Sequence, residues 1–117
     1  MEQLTVLYGE GDKKASAALA TAFAKEGFRV TLAIGRSEFE QKLGSGAYDV
    51  AVLGHTLTRD DRHHLPYKIR KAHAQCRILV LHASAKHHEV DLCMDSRRGE
   101  AAVVEAVEQL SGRVVAA

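Results

Sequence analysis

The sequence of 117 residues has a single proline, no tryptophan and only two cysteines. These cysteines, Cys76 and Cys93, are far apart and form no Cys-x-x-Cys pair, so we expect two buried, reduced thiols and no disulfide. No apolar run approaches the roughly 20 residues of a membrane span, which argues against an integral membrane protein. The first residues lack a basic segment followed by an apolar run, so we expect no export signal and a cytoplasmic location.

Neither sign of charge is in excess, since sixteen basic and fifteen acidic residues leave a net charge of +1. Proteins that bind nucleic acid concentrate positive charge against the phosphates, so we expect neither a nucleic-acid partner nor a membrane partner. A hydrophobic content of 46% over this length fits one compact domain, residues 1–117, with its own core.

Short apolar runs alternate with amphipathic segments along the whole chain. The predicted strands are 5–8, 28–33, 48–53, 77–81 and 90–94. The predicted helices are 13–26, a short helix opened by Ser37, 66–74 and 100–110. Runs 48–53 and 77–81 are apolar without alternation, which is typical of strands covered on both faces. The alternation of strands and helices predicts a parallel sheet with right-handed crossovers and helices on both faces.

The predicted helix boundaries depend on a few capping residues. Asp12 is the expected N-cap of the first helix, and Gly27 is expected in the left-handed conformation after it. Ser37 and Glu40 have the spacing of a capping box and predict the start of the second helix. Pro66 would interrupt a helix begun after position 58, so the regular part of the third helix is predicted to start at this proline.

The segment Y-D-V-A-V-L-G-H-T-L-T at 48–58 resembles the third strand and following loop of response-regulator receiver domains. The opening strand, the helix ending in K-E-G-F-R-V and the run R-I-L-V-L-H-A-S fit the same pattern. This resemblance implies an α/β, flavodoxin-like, doubly wound sheet of five parallel strands in the order 2-1-3-4-5. It further implies a non-enzymatic signalling module that recognises a protein partner.

Residues that receivers need for phosphorylation are replaced in this sequence. The acidic pair that helps bind magnesium in the family corresponds to Gly9 and Glu10, and the phosphoacceptor aspartate corresponds to Gly54. Placing His55 at the acceptor position does not restore an aspartate either. Aspartyl phosphate needs a carboxylate nucleophile and a divalent cation held by oxygen ligands. The sequence therefore predicts a pseudo-receiver that is not phosphorylated and needs no cofactor.

Later pocket positions also differ from the family. The hydroxyl residue after strand 4 corresponds to His82, and the aromatic residue of strand 5 corresponds to Cys93. The lysine that ends strand 5 corresponds to Ser96, which removes a cation from the phosphoryl site. The proline after that lysine corresponds to Arg97, and we expect a trans Ser96–Arg97 bond because a non-proline cis bond costs about 2.5–4 kcal/mol.

The segment between strands 4 and 5 is about two helical turns shorter than the family pattern. We therefore expect residues 83–89 to form at most a stub, so that the fourth helix is shortened or missing. The alternative places the fourth helix at 85–94 and displaces strand 5. In the first arrangement Val90, Leu92 and Met94 lie near a thinly covered sheet edge, which predicts a contact with a protein partner or a second copy of the chain.

Two other classes of function remain open at this point. Glu10, His55 and His82 follow strands 1, 3 and 4, and two imidazoles with a carboxylate are ligands suited to zinc or another transition metal. The second hypothesis is therefore a metal- or small-ligand-binding flavodoxin-like protein. A third is a flavin- or nucleotide-binding protein, for which Gly9-x-Gly11 before a helix is a weak signal because Asp12 puts negative charge where an anion would sit.

Overall fold

The computed structural model describes residues 3–82 and 88–112, in which strands and helices alternate. The strands are β1 (Thr5–Glu10), β2 (Arg29–Ile34), β3 (Val50–Leu53), β4 (Arg77–Val80) and β5 (Leu92–Cys93). The helices are α1 (Lys13–Lys25), α2 (Arg36–Ser45), α3 (Arg59–Ala72) and α4 (Glu100–Leu110), with a 3-10 turn at Ser96–Arg98. Within the described ranges the longest helix has 14 residues, and none is long and apolar enough to cross a membrane.

The five strands form one parallel sheet in the order β2-β1-β3-β4-β5, which confirms the predicted topology. Successive residues of the central strands face opposite layers, as the pleat requires. Tyr8 and Val52 pack in the layer that α1 and α4 cover, whereas Leu7 and Leu53 pack in the layer that α2 and α3 cover. The sheet is therefore buried on both faces, as in doubly wound folds.

Backbone conformation decides where the first two helices begin and end. Asp12 caps α1 by accepting a hydrogen bond from the Lys14 amide, and Gly27 has a φ of 84°, so both predictions are confirmed. The predicted capping box of α2 is wrong, because Ser37 and Glu40 both lie inside the helix. Gly35 takes the N-cap position with a φ of 84°, a conformation that glycine adopts freely.

The predicted interruption of the third helix at Pro66 is also wrong, since α3 is continuous through this residue. Thr58 caps the helix by accepting a hydrogen bond from the Asp61 amide at 3.1 Å. Proline deprives the carbonyl four residues earlier of its amide partner. The helix is nonetheless retained because Leu65, Pro66 and Ile69 are all buried against the sheet.

The pairing of β5 with β4 tests the two predicted arrangements of the chain after β4. A shortened fourth helix was predicted over 83–89; residues 83–87 lie outside the described residues, and residues 88 and 89 lie in a turn. The alternative of a helix over 85–94 is wrong, because Leu92 and Cys93 pair with Leu79 and Val80 of β4. The described residues contain no cis peptide bond, so the Ser96–Arg97 bond is trans as predicted.

The expected exposed edge is covered more fully than predicted. Met94 is 6% exposed and belongs to the core under α1 and α4, and Leu92 is half-buried against that core. Val90 is also half-buried, but against the opposite core layer. The prediction that these three residues form an exposed apolar edge is therefore wrong for Met94 and only partly met by the other two.

Arg70 of α3 fixes the chain where it enters β5. Its guanidinium donates to carboxylate oxygens of Glu89 and Asp91, each at 3.2 Å. It also donates to the backbone carbonyls of Ala74 and Cys76, each at 2.8 Å. Charge-assisted hydrogen bonds of this kind are stronger than neutral ones, and here they tie α3, the start of β4 and the approach to β5 together.

Cys76 and Cys93 are both thiols and are not joined in a disulfide, as predicted. Cys76 is buried, and burial raises the pKa of its thiol to about 12, which keeps it protonated and unreactive at neutral pH. Cys93 is half-buried, so the prediction of two fully buried thiols is wrong for this residue.

The central position of Leu53 yields a test of the strand assignment. Leu53 is fully buried between Gly9 of β1 and Val80 of β4. Leu53→Ala should lower the free energy of unfolding by about 2–5 kcal/mol through lost burial and the cavity that remains. Tyr67→Ala, at a side chain that is 48% exposed, is the control and should change stability by less than about 0.5 kcal/mol. Urea unfolding followed by circular dichroism measures the stability of both variants. A Leu53→Ala midpoint equal to that of the wild type would contradict the assignment of Leu53 to a central strand.

Candidate functional site

Glu10 is the central residue at the carboxyl edge of the sheet, where ligands of open α/β folds bind. It ends β1 and is only 1% exposed. Its Oε1 accepts hydrogen bonds from the Thr56 amide at 3.0 Å and the Thr56 hydroxyl at 2.6 Å, and its Oε2 accepts one from the Tyr8 hydroxyl. A buried carboxylate is stable when donors satisfy it in this way.

Tyr8 is the least expected of these partners. Its ring packs edge-on against Phe23 with centroids 5.6 Å apart, so only the hydroxyl approaches the polar end of the sheet. Burial, and then the hydrogen bond and charge of Glu10, raise the pKa of this hydroxyl well above its usual range. The Tyr8 hydroxyl therefore stays protonated and remains a donor to Glu10.

Gly54, the position of the phosphoacceptor in the resemblance, directly faces the Glu10 carboxylate. A Cβ built on Gly54 would lie 1.9 Å from Cδ of Glu10 and 2.0 and 2.1 Å from its two oxygens. Gly54 is not among the glycines with positive φ, so its backbone would suit other residues. The backbone conformation therefore does not require glycine, but a side chain at position 54 would begin where the Glu10 carboxylate lies and would have to displace it.

Gly9 is confined in the same manner on the opposite face of the sheet. A Cβ at this position would lie 2.5 Å from Cδ2 and 2.9 Å from Cε2 of Phe39. Phe39 comes from α2 and is fully buried in the core under α2 and α3. A carboxylate at position 9 would therefore need the Phe39 ring to move.

A divalent cation of the kind that the resemblance implies does not fit these residues. Positions 9 and 54 supply no ligand, and the oxygens of Glu10 are already hydrogen-bonded to Tyr8 and Thr56. Among residues 3–82 and 88–112, no three histidine, cysteine, aspartate or glutamate side chains are grouped to hold a metal. The sequence-based metal hypothesis therefore gains no support in the described part of the chain.

The three proposed metal ligands are only partly brought together. Nδ1 of His55 lies 3.9 Å from Oε2 of Glu10, and the imidazole is 49% exposed. His82 is half-buried beyond β4 and acts electrostatically on Asp95, on the side of β5. The structure thus pairs Glu10 with His55 and associates His82 with a different carboxylate.

Arg97 directly follows the position that corresponds to the family's lysine, but its guanidinium pairs with Asp95. Ser96 stands at that position, and the next side chain, Arg97, donates from Nε to both oxygens of Asp95 at 3.0 Å. The side-chain hydrogen bond from Arg97 lowers the pKa of Asp95 to about 2. Arg97 is 88% exposed, so its charge lies in solvent with Asp95 and not over Gly54.

A small cavity of about 90 Å³ adjoins the site. Glu10, His55, Ser96 and Glu100 line it together with apolar residues of α1 and α4. Sites for organic cofactors usually enclose about 300–1,000 Å³. This cavity is therefore too small for a flavin or a nucleotide, and the third hypothesis finds no support here.

Sequence reasoning missed three residues that shape the site: Tyr8, Phe39 and Thr56. Thr56 follows Gly54 by only two residues. Its bond to Glu10 spans 46 residues, and no local pattern reveals such a pair. The sequence gives one signal for this contact: Glu10 is a charged residue at the end of an otherwise apolar strand, where it needs a hydrogen-bonding partner.

No protein-family model and no curated protein matches this sequence. Solved structures do match, among them a two-component response regulator from Clostridium difficile, with a TM-score of 0.81 and 21% identity over 97% of this chain and 100% of that one. A CheY-like receiver domain from Methanospirillum hungatei has a TM-score of 0.83 and 13% identity, covering 95% of each chain.

A third match is the response regulator TrrA from Thermotoga maritima, solved in complex with magnesium and beryllofluoride. It has a TM-score of 0.79 and 18% identity over 92% of this chain and 99% of that one. At these identities the comparisons establish the fold, which is that of response-regulator receivers.

The opposition of Glu10 and Gly54 predicts a strong coupling between these positions. Gly54→Ala should destabilise the protein by about 1–3 kcal/mol, because the new Cβ displaces a hydrogen-bonded carboxylate. In a Glu10→Ala background, where the carboxylate is absent, the same change should cost less by about 0.5–3 kcal/mol. A double-mutant cycle by urea unfolding measures this difference.

Gly44→Ala is the matched glycine control for this cycle. Gly44 lies in α2, and a Cβ there would meet nothing within 4 Å. Alanine is favoured over glycine inside a helix, so this change should stabilise the protein by about 0.5–1 kcal/mol. Additive effects of Gly54→Ala and Glu10→Ala would show that the two positions do not compete for space.

Proposed function

We propose that this chain is a phosphorylation-independent receiver-like protein, a non-enzymatic module that signals by binding a protein partner. The fold supports the general class. The Glu10 carboxylate, placed where a side chain on Gly54 would begin, carries the finer proposal. Gly54 provides no acceptor carboxylate, and the Glu10 carboxylate occupies the space in which an acceptor side chain would lie.

Two other contacts support the same proposal. Phe39 occupies the space beside Gly9, where the resemblance places one of the magnesium-binding carboxylates. Arg97 is held by Asp95, so the nearest cation after the lysine position does not face Gly54. Phosphoryl transfer to aspartate depends on a nucleophile, a metal ion and a neutralising cation, and the residues at positions 54, 9 and 96 supply none of the side chains that these roles need.

Acetyl phosphate with magnesium tests the proposal directly. The purified protein should gain no phosphoryl mass, and beryllofluoride with magnesium should leave the NMR signals around Gly54 unchanged. Gly54→Asp is the informative variant, because it supplies an acceptor carboxylate but forces Glu10 to move and restores neither a carboxylate at position 9 nor a lysine at position 96. This variant should also remain unmodified.

A phosphoryl group found on the wild-type protein, at His55 or elsewhere near Gly54, would refute phosphorylation independence. Saturable beryllofluoride binding by the wild-type chain would do the same. Intact-mass spectrometry followed by peptide mapping locates any modification.

The partner face is proposed to lie beside β5. A groove of about 240 Å³ runs between β5 and α4, and the half-buried Leu92 and Ala102 are among the residues that line it. Arg98 and Glu105 also line it. Apolar walls with charged residues beside them are typical of protein-binding surfaces. A second copy of the chain is the first partner to test, because β5 is the last strand of the sheet in the part of the chain that the structure describes.

Light scattering over a concentration series measures this self-association. We expect a concentration-dependent rise in mass for the wild type, weakened by Gln109→Lys, which adds charge at an exposed residue lining the groove. Gln41→Lys makes the same change at an exposed position of α2 and should have no effect. A wild type that stays monomeric at high concentration would refute the homodimer.

A further inference from the structure

Thr56 forms a hydrogen-bonding centre between two loops at the carboxyl edge of the sheet. Its hydroxyl donates to Oε1 of Glu10 at 2.6 Å and accepts from the amides of Gly11 at 2.9 Å and Asp12 at 3.0 Å. A threonine hydroxyl has one proton and two lone pairs. These three contacts use its full hydrogen-bonding capacity, and the Thr56 amide adds a second bond to Glu10 at 3.0 Å.

The same two loops also pack closely through their backbones. A Cβ on Gly11 would lie 2.2 Å from the carbonyl oxygen of Thr56 and 2.9 Å from its carbonyl carbon. Gly11 has no positive φ, so this close approach is the reason for glycine at position 11. A larger residue would push the loop after β1 away from the loop after β3.

The loop after β3 is held on its other side as well. Arg62 of α3 donates from Nη1 to the carbonyls of His55, at 3.2 Å, and Leu57. The Gly54 amide donates to the Gly9 carbonyl at 2.7 Å. Residues 54–58 are thus fixed to β1, to the start of α1 and to α3 by the chain's own groups.

We propose that the Glu10–Thr56 contact is an internal cross-link that fixes the loop after β1 (Gly11 and Asp12) against the loop after β3 (54–58) without a metal ion. A divalent cation at this edge would join the same loops through ligands from both, but the residues present do not fit one. Instead, the Glu10 carboxylate accepts hydrogen bonds from the amide and hydroxyl of Thr56 and so connects β1 to the loop after β3. Thr56 is the positioning residue of this contact.

As a statement about regulation, this inference rests on the proposed function. A receiver-like module whose loops are fixed by its own side chains presents one arrangement to a partner, with or without magnesium. The hydrogen bonds among Glu10, Tyr8 and Thr56 then hold the loops after β1 and β3 in one conformation, which does not change with the magnesium concentration.

Amide hydrogen exchange on the full chain tests the cross-link. In the wild type, magnesium should leave the exchange rates of Gly11, Asp12 and Thr56 unchanged within about twofold. Thr56→Val keeps the side-chain shape but removes the hydroxyl, so exchange at Gly11 and Asp12 should rise by about tenfold or more. Amides in the middle of β3, such as Val52, should be unaffected.

Two further variants keep the test decisive. Thr56→Ser retains the hydroxyl and should exchange like the wild type. Thr58→Val removes a different hydroxyl of the same loop, the cap of α3, and should leave Gly11 and Asp12 unchanged. Wild-type rates in Thr56→Val, or a tenfold slowing by magnesium in the wild type, would overturn the cross-link. Phosphoryl transfer is measured separately, so failure of the cross-link is distinguishable from failure of the proposed function.

Discussion

A carboxylate that is almost completely removed from water must find hydrogen-bond donors, and the site is built around how Glu10 finds them. Tyr8 supplies one donor from the same face of β1, two residues earlier, and Thr56 supplies two from the loop after β3. In meeting these donors the side chain occupies the place where a Cβ at position 54 would lie, so a residue larger than glycine would have to displace the carboxylate from its donors. The identities of positions 10, 54 and 56 are therefore linked by a single requirement, the satisfaction of one buried charge.

The positions at the carboxyl edge that lack a carboxylate are filled by neighbouring side chains. Gly54 faces Glu10, and Gly9 faces the ring of Phe39, so each position that lacks a carboxylate is filled by a neighbouring side chain. Arg97 is paired with Asp95 on the solvent side. A pocket that had only lost its acceptor would leave an empty or unsatisfied space. Here the Glu10 carboxylate is hydrogen-bonded and the spaces beside Gly9 and Gly54 are filled, which supports a role that does not require phosphorylation.

Much of the fold could be predicted from the sequence because its signals are local. Apolar runs such as V-A-V-L of β3 and R-I-L-V of β4 identify strands buried on both faces, and Asp12 and Gly27 mark the ends of α1. Local rules failed where packing outweighs them. Pro66 remains inside α3 because its neighbours are buried, and Gly35 starts α2 in place of the expected capping box. Met94 is buried because α4 packs over the end of β5, a relation that no local pattern contains.

For the candidate site, the sequence by itself determined which chemical groups are missing: no aspartate at position 54, no carboxylate at position 9 and no lysine at position 96. It did not determine what occupies their places. Thr56 reaches Glu10 across 46 residues, and Phe39 reaches Gly9 from a helix that is distant in the sequence. Only the tertiary structure decided that the space is filled and the charge satisfied, because steric exclusion and hydrogen bonding act between atoms that folding brings together.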